Sequence, residues 1–172
     1  MTQSPQSYRG KLLIVGMFLM ATCFGLGSLI YRYVETRDVL RLWGAEAAQS
    51  IAKPDKIEAL RLEPAATDAD LHVGDQGLKI VQTRDVTKTP GFTNARNALV
   101  LDRSFELSPA TACKPTWTYA LRFTRDKHQT VVLLSLDCPR ALLHGTDHSA
   151  GIQPIVKGLK TLLEENLPVE KK

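Results

Sequence analysis

The chain has 172 residues, of which 22 are basic and 18 acidic, so it carries a formal charge of +4 and has a pI of about 9.0. Three of the basic residues, Arg9, Lys11 and Arg32, flank a single apolar run, and all acidic residues follow that run. The rest of the chain is therefore nearly neutral. A nearly neutral domain without a basic stripe gains little affinity from counterion release, which excludes nucleic acid as an expected partner.

The apolar run extends over residues 12–31 and contains no charged side chain. Its 20 residues match the length that a helix needs to cross a hydrocarbon core of ~30 Å. The run predicts a transmembrane helix that acts as a signal anchor and follows a polar tail at residues 1–11, with the lipid bilayer as a partner. Ala21 and Gly25 are spaced so that they could pack against a second membrane helix.

Two other interpretations of the run stay open. A cleaved signal peptide would have a shorter apolar core and a small-x-small cleavage site. A lipoprotein would carry its lipid on Cys23. The orientation is also open, because Arg32, Arg37 and Arg41 favour a cytoplasmic C-terminal domain. The short basic tail before the run and a possible disulfide favour the opposite side, so we expect a single-pass protein with an extracytoplasmic domain.

A juxtamembrane helix and linker are expected at residues 32–56. Val39, Trp43, Ala47 and Ile51 recur at helical spacing, and Pro54 ends the pattern. Beyond it, residues 57–168 have the length of one domain, and residues 169–172 form a charged tail.

The domain alternates between strand and helix patterns. Strands are predicted at residues 57–62, 71–73, 78–86, 117–124 and 130–137, and helices at residues 93–102 and 153–166. In the fourth strand Trp117, Tyr119, Leu121 and Phe123 alternate with small or polar residues and define one large apolar face. The pattern indicates an α+β fold. We expect a single two-layer domain in which amphipathic helices cover one face of an antiparallel sheet and the other face is more polar.

Cys113 and Cys138 flank the predicted hairpin at nearly equal distances from its turn. Residues opposite each other in an antiparallel pair lie almost close enough for a disulfide, so the two cysteines are candidates for one. Two reduced, buried thiols are the alternative.

Histidines follow the second of these cysteines. His144 and His148 have the H-x3-H spacing of some structural zinc sites, and Cys138 lies nearby. Zinc motifs bring two cysteines close together in sequence, which this chain does not, so these residues are weak candidates and no metal or other cofactor is expected. A Cys138 nucleophile with His144 as its base is another possibility.

No sequence signature of a known enzyme class occurs in the chain. The sequence therefore favours a non-enzymatic interaction or assembly module whose partner is another membrane or extracytoplasmic protein. A membrane-bound enzyme or metal-binding domain with a thiol and histidine centre, and a small-molecule sensor domain, are the alternatives.

Overall fold

The structure is a computed structural model that describes residues 5–106 and 113–168. The described part is α+β and contains three α-helices, one 3₁₀-helix and seven strands. In chain order these elements are α1 (Pro5–Ala52), β1 (Lys56–Ala65), β2 (Leu71–Val73), β3 (Gln76–Asp85), α2 (Phe92–Ala98), the 3₁₀-helix (Asp102–Ser104), β4 (Tyr119–Arg125), β5 (His128–Ser135), β6 (Arg140–Leu143), β7 (Ser149–Gly151) and α3 (Gln153–Asn166).

The predicted transmembrane helix at residues 12–31 is not supported. Within the described residues, no helix has both the length and the apolar character that crossing a membrane requires. The apolar run is part of the 48-residue helix α1, which continues through Glu35, Arg37 and Asp38 to Ala52. The single-pass membrane localisation predicted from the run, with its extracytoplasmic domain, is therefore not supported.

The chain divides into two compact units, Met1–Thr36 and Arg37–Lys172. In the first unit, the apolar side chains described between Leu13 and Leu26 are exposed. The second unit contains the end of α1 and the whole sheet. Helix α1 is kinked at Gly44, whose φ of 77° and ψ of 160° are not helical.

Asp102 binds the part of α1 that belongs to the second unit, near the start of that part. Its carboxylate accepts hydrogen bonds from the backbone amides of Val39 at 2.8 Å and Asp38 at 3.2 Å. These two contacts attach the helix to the segment that follows α2, which positions the apolar side of the helix over the sheet.

The seven strands form one antiparallel sheet in the order β2-β3-β1-β4-β5-β6-β7. Its centre is the β4–β5 hairpin, in which Arg125 pairs with His128 across a two-residue turn. Asp126 in this turn has a φ of 53°, a conformation that Asp tolerates better than most residues. Beyond β7, Glu106 forms an isolated bridge with Gly151.

The sheet has an apolar cluster on each face. On one face β1, β4 and β5 pack against α1, α2 and α3, around residues such as Trp43, Phe92 and Phe123. On the other face lies a second cluster to which no described helix contributes. Its members come from the strands and the segment before β4, namely Leu60, Leu62, Leu71, Leu78, Trp117, Ala120, Leu133 and Leu142.

This second cluster shows that the predicted two-layer architecture, in which the uncovered face of the sheet is more polar than the helix-covered face, was wrong. The sheet curls, so that β2 and β6 approach the same space although they lie near opposite ends of the strand order. Curling buries apolar side chains on the face that lacks helices. The sequence pattern predicts that Trp117 lies on the same sheet face as Tyr119. Trp117 instead belongs to this second cluster, because β4 begins only at Tyr119.

Candidate functional site

A cavity of about 420 Å³ opens on the helix-free face of the sheet. We call it the concave pocket. His72 and Val73 of β2 and Gly74 contribute one side of it, and Arg140 and Leu142 of β6 contribute another. The volume lies within the range of small-molecule sites, and the lining of this cavity combines polar and apolar groups.

The floor of the concave pocket is apolar. Trp117 and Leu142 line it and are both buried, with 5% and 7% of their surfaces exposed. Both residues belong to the apolar cluster of the curled sheet. The pocket therefore borders part of that cluster.

The polar residues of the pocket come from three elements. Arg140 lies at the start of β6, Asp147 in the turn between β6 and β7, and His72 on β2. Thr146 and Ser149 add hydroxyl groups, although the Thr146 hydroxyl already donates to the carbonyl of Leu143 at 2.9 Å. The pocket thus presents a cationic and an anionic group beside an apolar floor.

A disulfide between Cys113 and Cys138 holds one wall of the pocket. The two Cα atoms are 5.9 Å apart, and the bond joins the segment before β4 to the turn between β5 and β6. Pro115 in that segment lines the pocket, and the amide of Thr116 donates to the Ser135 hydroxyl at 3.1 Å. The predicted disulfide is therefore present, and it places Pro115 and Trp117 beside β6.

The thiol and metal hypotheses fit this geometry poorly. The sulfur of Cys138 is bonded to Cys113, so it offers neither a nucleophilic thiolate nor a metal ligand. His144 and His148 lie at either end of the β6–β7 turn, where Leu143 donates to the carbonyl of His148 at 3.1 Å. Among the described residues, no group of three or more His, Cys, Asp or Glu side chains could hold a metal ion.

Ala21 and Gly25 both lie on α1 in the first unit. They are exposed, and no described atom outside the local helix backbone lies within 4 Å of a Cβ built at Gly25. The contact of this pair with a second helix stays a prediction, as does the expected protein partner.

The fold changes the titration of His144. Burial lowers its pKa from the ordinary value of 6.5, and the positive charge that His72 can carry lowers it further. The folded protein therefore binds fewer protons at this site than the unfolded chain does below about pH 6.5. The free energy of unfolding that depends on a neutral His144 is therefore fully present at neutral pH and is lost as the pH falls below about 6.5.

We expect the variant His144→Gln to lose less stability than the wild type when the pH is lowered from 7.5 to 5.0. The measurement is the free energy of unfolding from urea titrations at both pH values. His148→Gln, which removes the exposed histidine of the same turn, is the matched control and should keep the wild-type difference. A His144→Gln profile that coincides with the wild-type profile would contradict the assignment.

Two other cavities lie in the second unit. One, of about 340 Å³, is an apolar groove between α2 and α3, with Ala95, Ala98 and Gly158 among its lining residues. The other, of about 420 Å³, lies between the kink at Gly44 and β5. Neither combines an apolar floor with polar groups from both ends of the sheet, which makes the concave pocket the better candidate for a site.

Comparisons with known proteins assign no family. The chain matches no protein-family model, no curated protein and no solved structure. The geometry of the concave pocket is therefore the main indication of function that this protein offers.

The sequence contains little local signal for this pocket. Trp117 reads as part of a regular strand face, and His72 and Arg140 are isolated polar residues separated by 68 positions. They line the same cavity only because the sheet curls. The disulfide candidates, in contrast, were visible in the sequence and lie next to the pocket.

Proposed function

We propose that the protein is a non-enzymatic binding module that holds a small molecule with an apolar body in the concave pocket. The observation that carries the proposal is an apolar cluster that no described helix covers and that opens into a cavity of about 420 Å³. Binding would place an apolar group against the half-buried side chain of Val73 and the outer edges of Trp117 and Leu142.

The lining favours binding over chemical conversion. The sulfur nearest the pocket wall is in a disulfide, and the rim groups Arg140, Asp147 and His72 come from separate elements of the sheet. Such groups orient a ligand by charge and hydrogen bonding. This arrangement corresponds to the sensor-type alternative among the functions that the sequence left open.

The test is chemical-shift mapping of the ¹⁵N-labelled full chain with two single-charge probes, 3-phenylpropionate and 2-phenylethylamine. We expect either probe at millimolar concentration to shift the amide signals of Gly74, Gly145 and Ser149. Ser149→Phe, which places a ring at the rim of the pocket, should abolish the shifts.

Thr83→Phe is the matched control, because it adds the same ring at an exposed strand position outside the pocket lining. It should leave the shifts intact. Absence of shifts with both probes, or shifts that Ser149→Phe leaves unchanged, would overturn the proposal.

A further inference from the structure

The disulfide between Cys113 and Cys138 joins two segments that both line the concave pocket. Pro115 lies two residues after Cys113, Arg140 lies two residues after Cys138, and both residues line the cavity. The Cα atoms of the two cysteines are 5.9 Å apart, so the bond sets the separation of the two segments directly beside the pocket. A reaction that breaks this bond therefore acts on the pocket wall.

The segment at residues 113–118 belongs to no strand, and hydrogen bonds attach its second half to the sheet. The amide of Thr116 donates to the Ser135 hydroxyl at 3.1 Å, and the carbonyl of Thr118 accepts from the Leu62 amide at 2.9 Å. Breaking the disulfide leaves these donors and acceptors in place. The sheet and the end of the segment next to it therefore keep their attachment in the reduced chain.

Pro115 and Trp117 respond differently to the loss of the bond. Trp117 lies between Thr116 and Thr118 and is buried in the apolar cluster, with 5% of its surface exposed. Pro115 lies on the other side of Thr116, next to the bridged half of the segment, and it has no backbone N–H with which to form a hydrogen bond. Without the disulfide, the cavity keeps its apolar floor but loses the restraint on one wall.

The two cysteines differ in their access to a reductant. Cys113 is half-buried, whereas Cys138 has 3% of its surface exposed. A thiolate of a dithiol therefore attacks the Cys113 sulfur, and Cys138 leaves as a thiolate. The second thiol of the reductant then releases Cys113 and closes a disulfide of its own. Two electrons pass to the protein, and each cysteine takes up one of the two protons that the dithiol gives up.

On the basis of the function proposed above, we propose that this disulfide is a redox switch of the concave pocket. The oxidised chain holds Pro115 in the wall and binds the ligand, and a dithiol lowers the affinity by releasing that wall. We expect the reduced chain to bind at least about fivefold more weakly, which corresponds to a wall that is in place for about a fifth of the time.

Titration of the ¹⁵N-labelled full chain with 3-phenylpropionate tests the switch. One sample contains dithiothreitol, and the other contains the cyclic oxidised form of dithiothreitol at the same concentration. The dissociation constants come from the amide shifts of Gly145 and Ser149. Reoxidation of the reduced chain should restore the tighter binding.

Amide hydrogen exchange separates local release from unfolding. In the reduced chain the Thr116 amide should exchange faster, whereas the amides of Leu121 in β4 and Leu133 in β5 should keep their protection. Loss of protection throughout β4 and β5 would mean that reduction unfolds the domain, and it would overturn the switch.

Variants assign the response to this bond. The double variant Cys113→Ser/Cys138→Ser should bind as weakly as the reduced wild type in both samples. Cys23→Ser is the matched control, because it removes the exposed free thiol of the first unit, and it should keep the wild-type response.

The outcomes distinguish the switch from the proposed function. Equal affinities of the two redox forms, with three alkylatable thiols in the reduced one, would overturn the switch and leave a small-molecule site in place. A bond that dithiothreitol does not reduce in the folded chain would overturn it as well. If the probe shifts the pocket amides of neither form, both proposals fail.

Discussion

Replacing Cys113 or Cys138 by Ser is expected to lower the free energy of unfolding by about 3.5 kcal/mol, the chain-entropy value for a loop of about 26 residues. The cysteines are 25 positions apart, and the loop between them contains β4 and β5, the two central strands of the sheet. Without the bond, the unfolded chain regains the freedom that the loop had lost. The folded chain keeps its sheet pairing, so most of the effect falls on the unfolded state.

Urea denaturation under non-reducing conditions measures this loss. The single variants and the double variant should lose the same amount, because each removes the same bond. Cys23→Ser is the matched control, since Cys23 is exposed and makes no disulfide, and it should change the stability by less than about 0.5 kcal/mol. Three alkylatable thiols in the native wild type, or a double variant as stable as the wild type, would contradict the disulfide.

Local patterns predicted the elements that are long or strongly periodic. The alternation from Trp117 predicted a strand at residues 117–124, which the structure places at Tyr119–Arg125. The apolar stripe from Ile152 to Leu163 predicted a helix that the structure places at Gln153–Asn166. The strands predicted at residues 71–73 and 78–86 correspond to the paired strands β2 and β3. These elements follow from the spacing of neighbouring residues, and the sequence records that spacing directly.

Short strands and the curl of the sheet could not be predicted in the same way. Strands β6 and β7 have four and three residues, too few to show an alternation. They form because β5 offers β6 an edge to pair with, and β6 in turn offers one to β7. The concave pocket depends on this pairing order, so its residues carry no common pattern in the sequence.

The apolar run is an error of a different kind, in which a strong pattern was assigned a membrane-spanning role that the structure does not support. Its length and lack of charge predicted a membrane-spanning helix at residues 12–31, with the juxtamembrane helix continuing it as far as Pro54. The structure places those residues in α1, which extends to Ala52 and ends in a segment that packs on the sheet. The helical conformation of the run and of the segment that follows it was correctly expected, but the membrane-spanning role assigned to the run is not supported.

Truncating Trp43 to Ala is the second change for which we expect a large effect, a loss of about 3–5 kcal/mol in the free energy of unfolding. The indole has 2% of its surface exposed and lies one residue before the kink at Gly44. Its Nε1–H donates to the carbonyl of Leu99 at 2.9 Å, and its ring meets that of Phe105 edge to face with 5.5 Å between centroids. Truncation leaves both a cavity and a buried carbonyl without its donor.

Two further variants separate these causes. Trp43→Phe keeps an aromatic ring in the core but cannot donate to Leu99, so it should cost clearly less than Trp43→Ala. Leu40→Ala on the same helix removes a side chain that is 38% exposed and serves as the control for a small loss. Equal stability of Trp43→Ala and Leu40→Ala would mean that the end of α1 does not pack on the sheet. A large loss confined to Trp43→Ala would instead identify this indole as the residue that fixes the helix to the domain, opposite the face that carries the concave pocket.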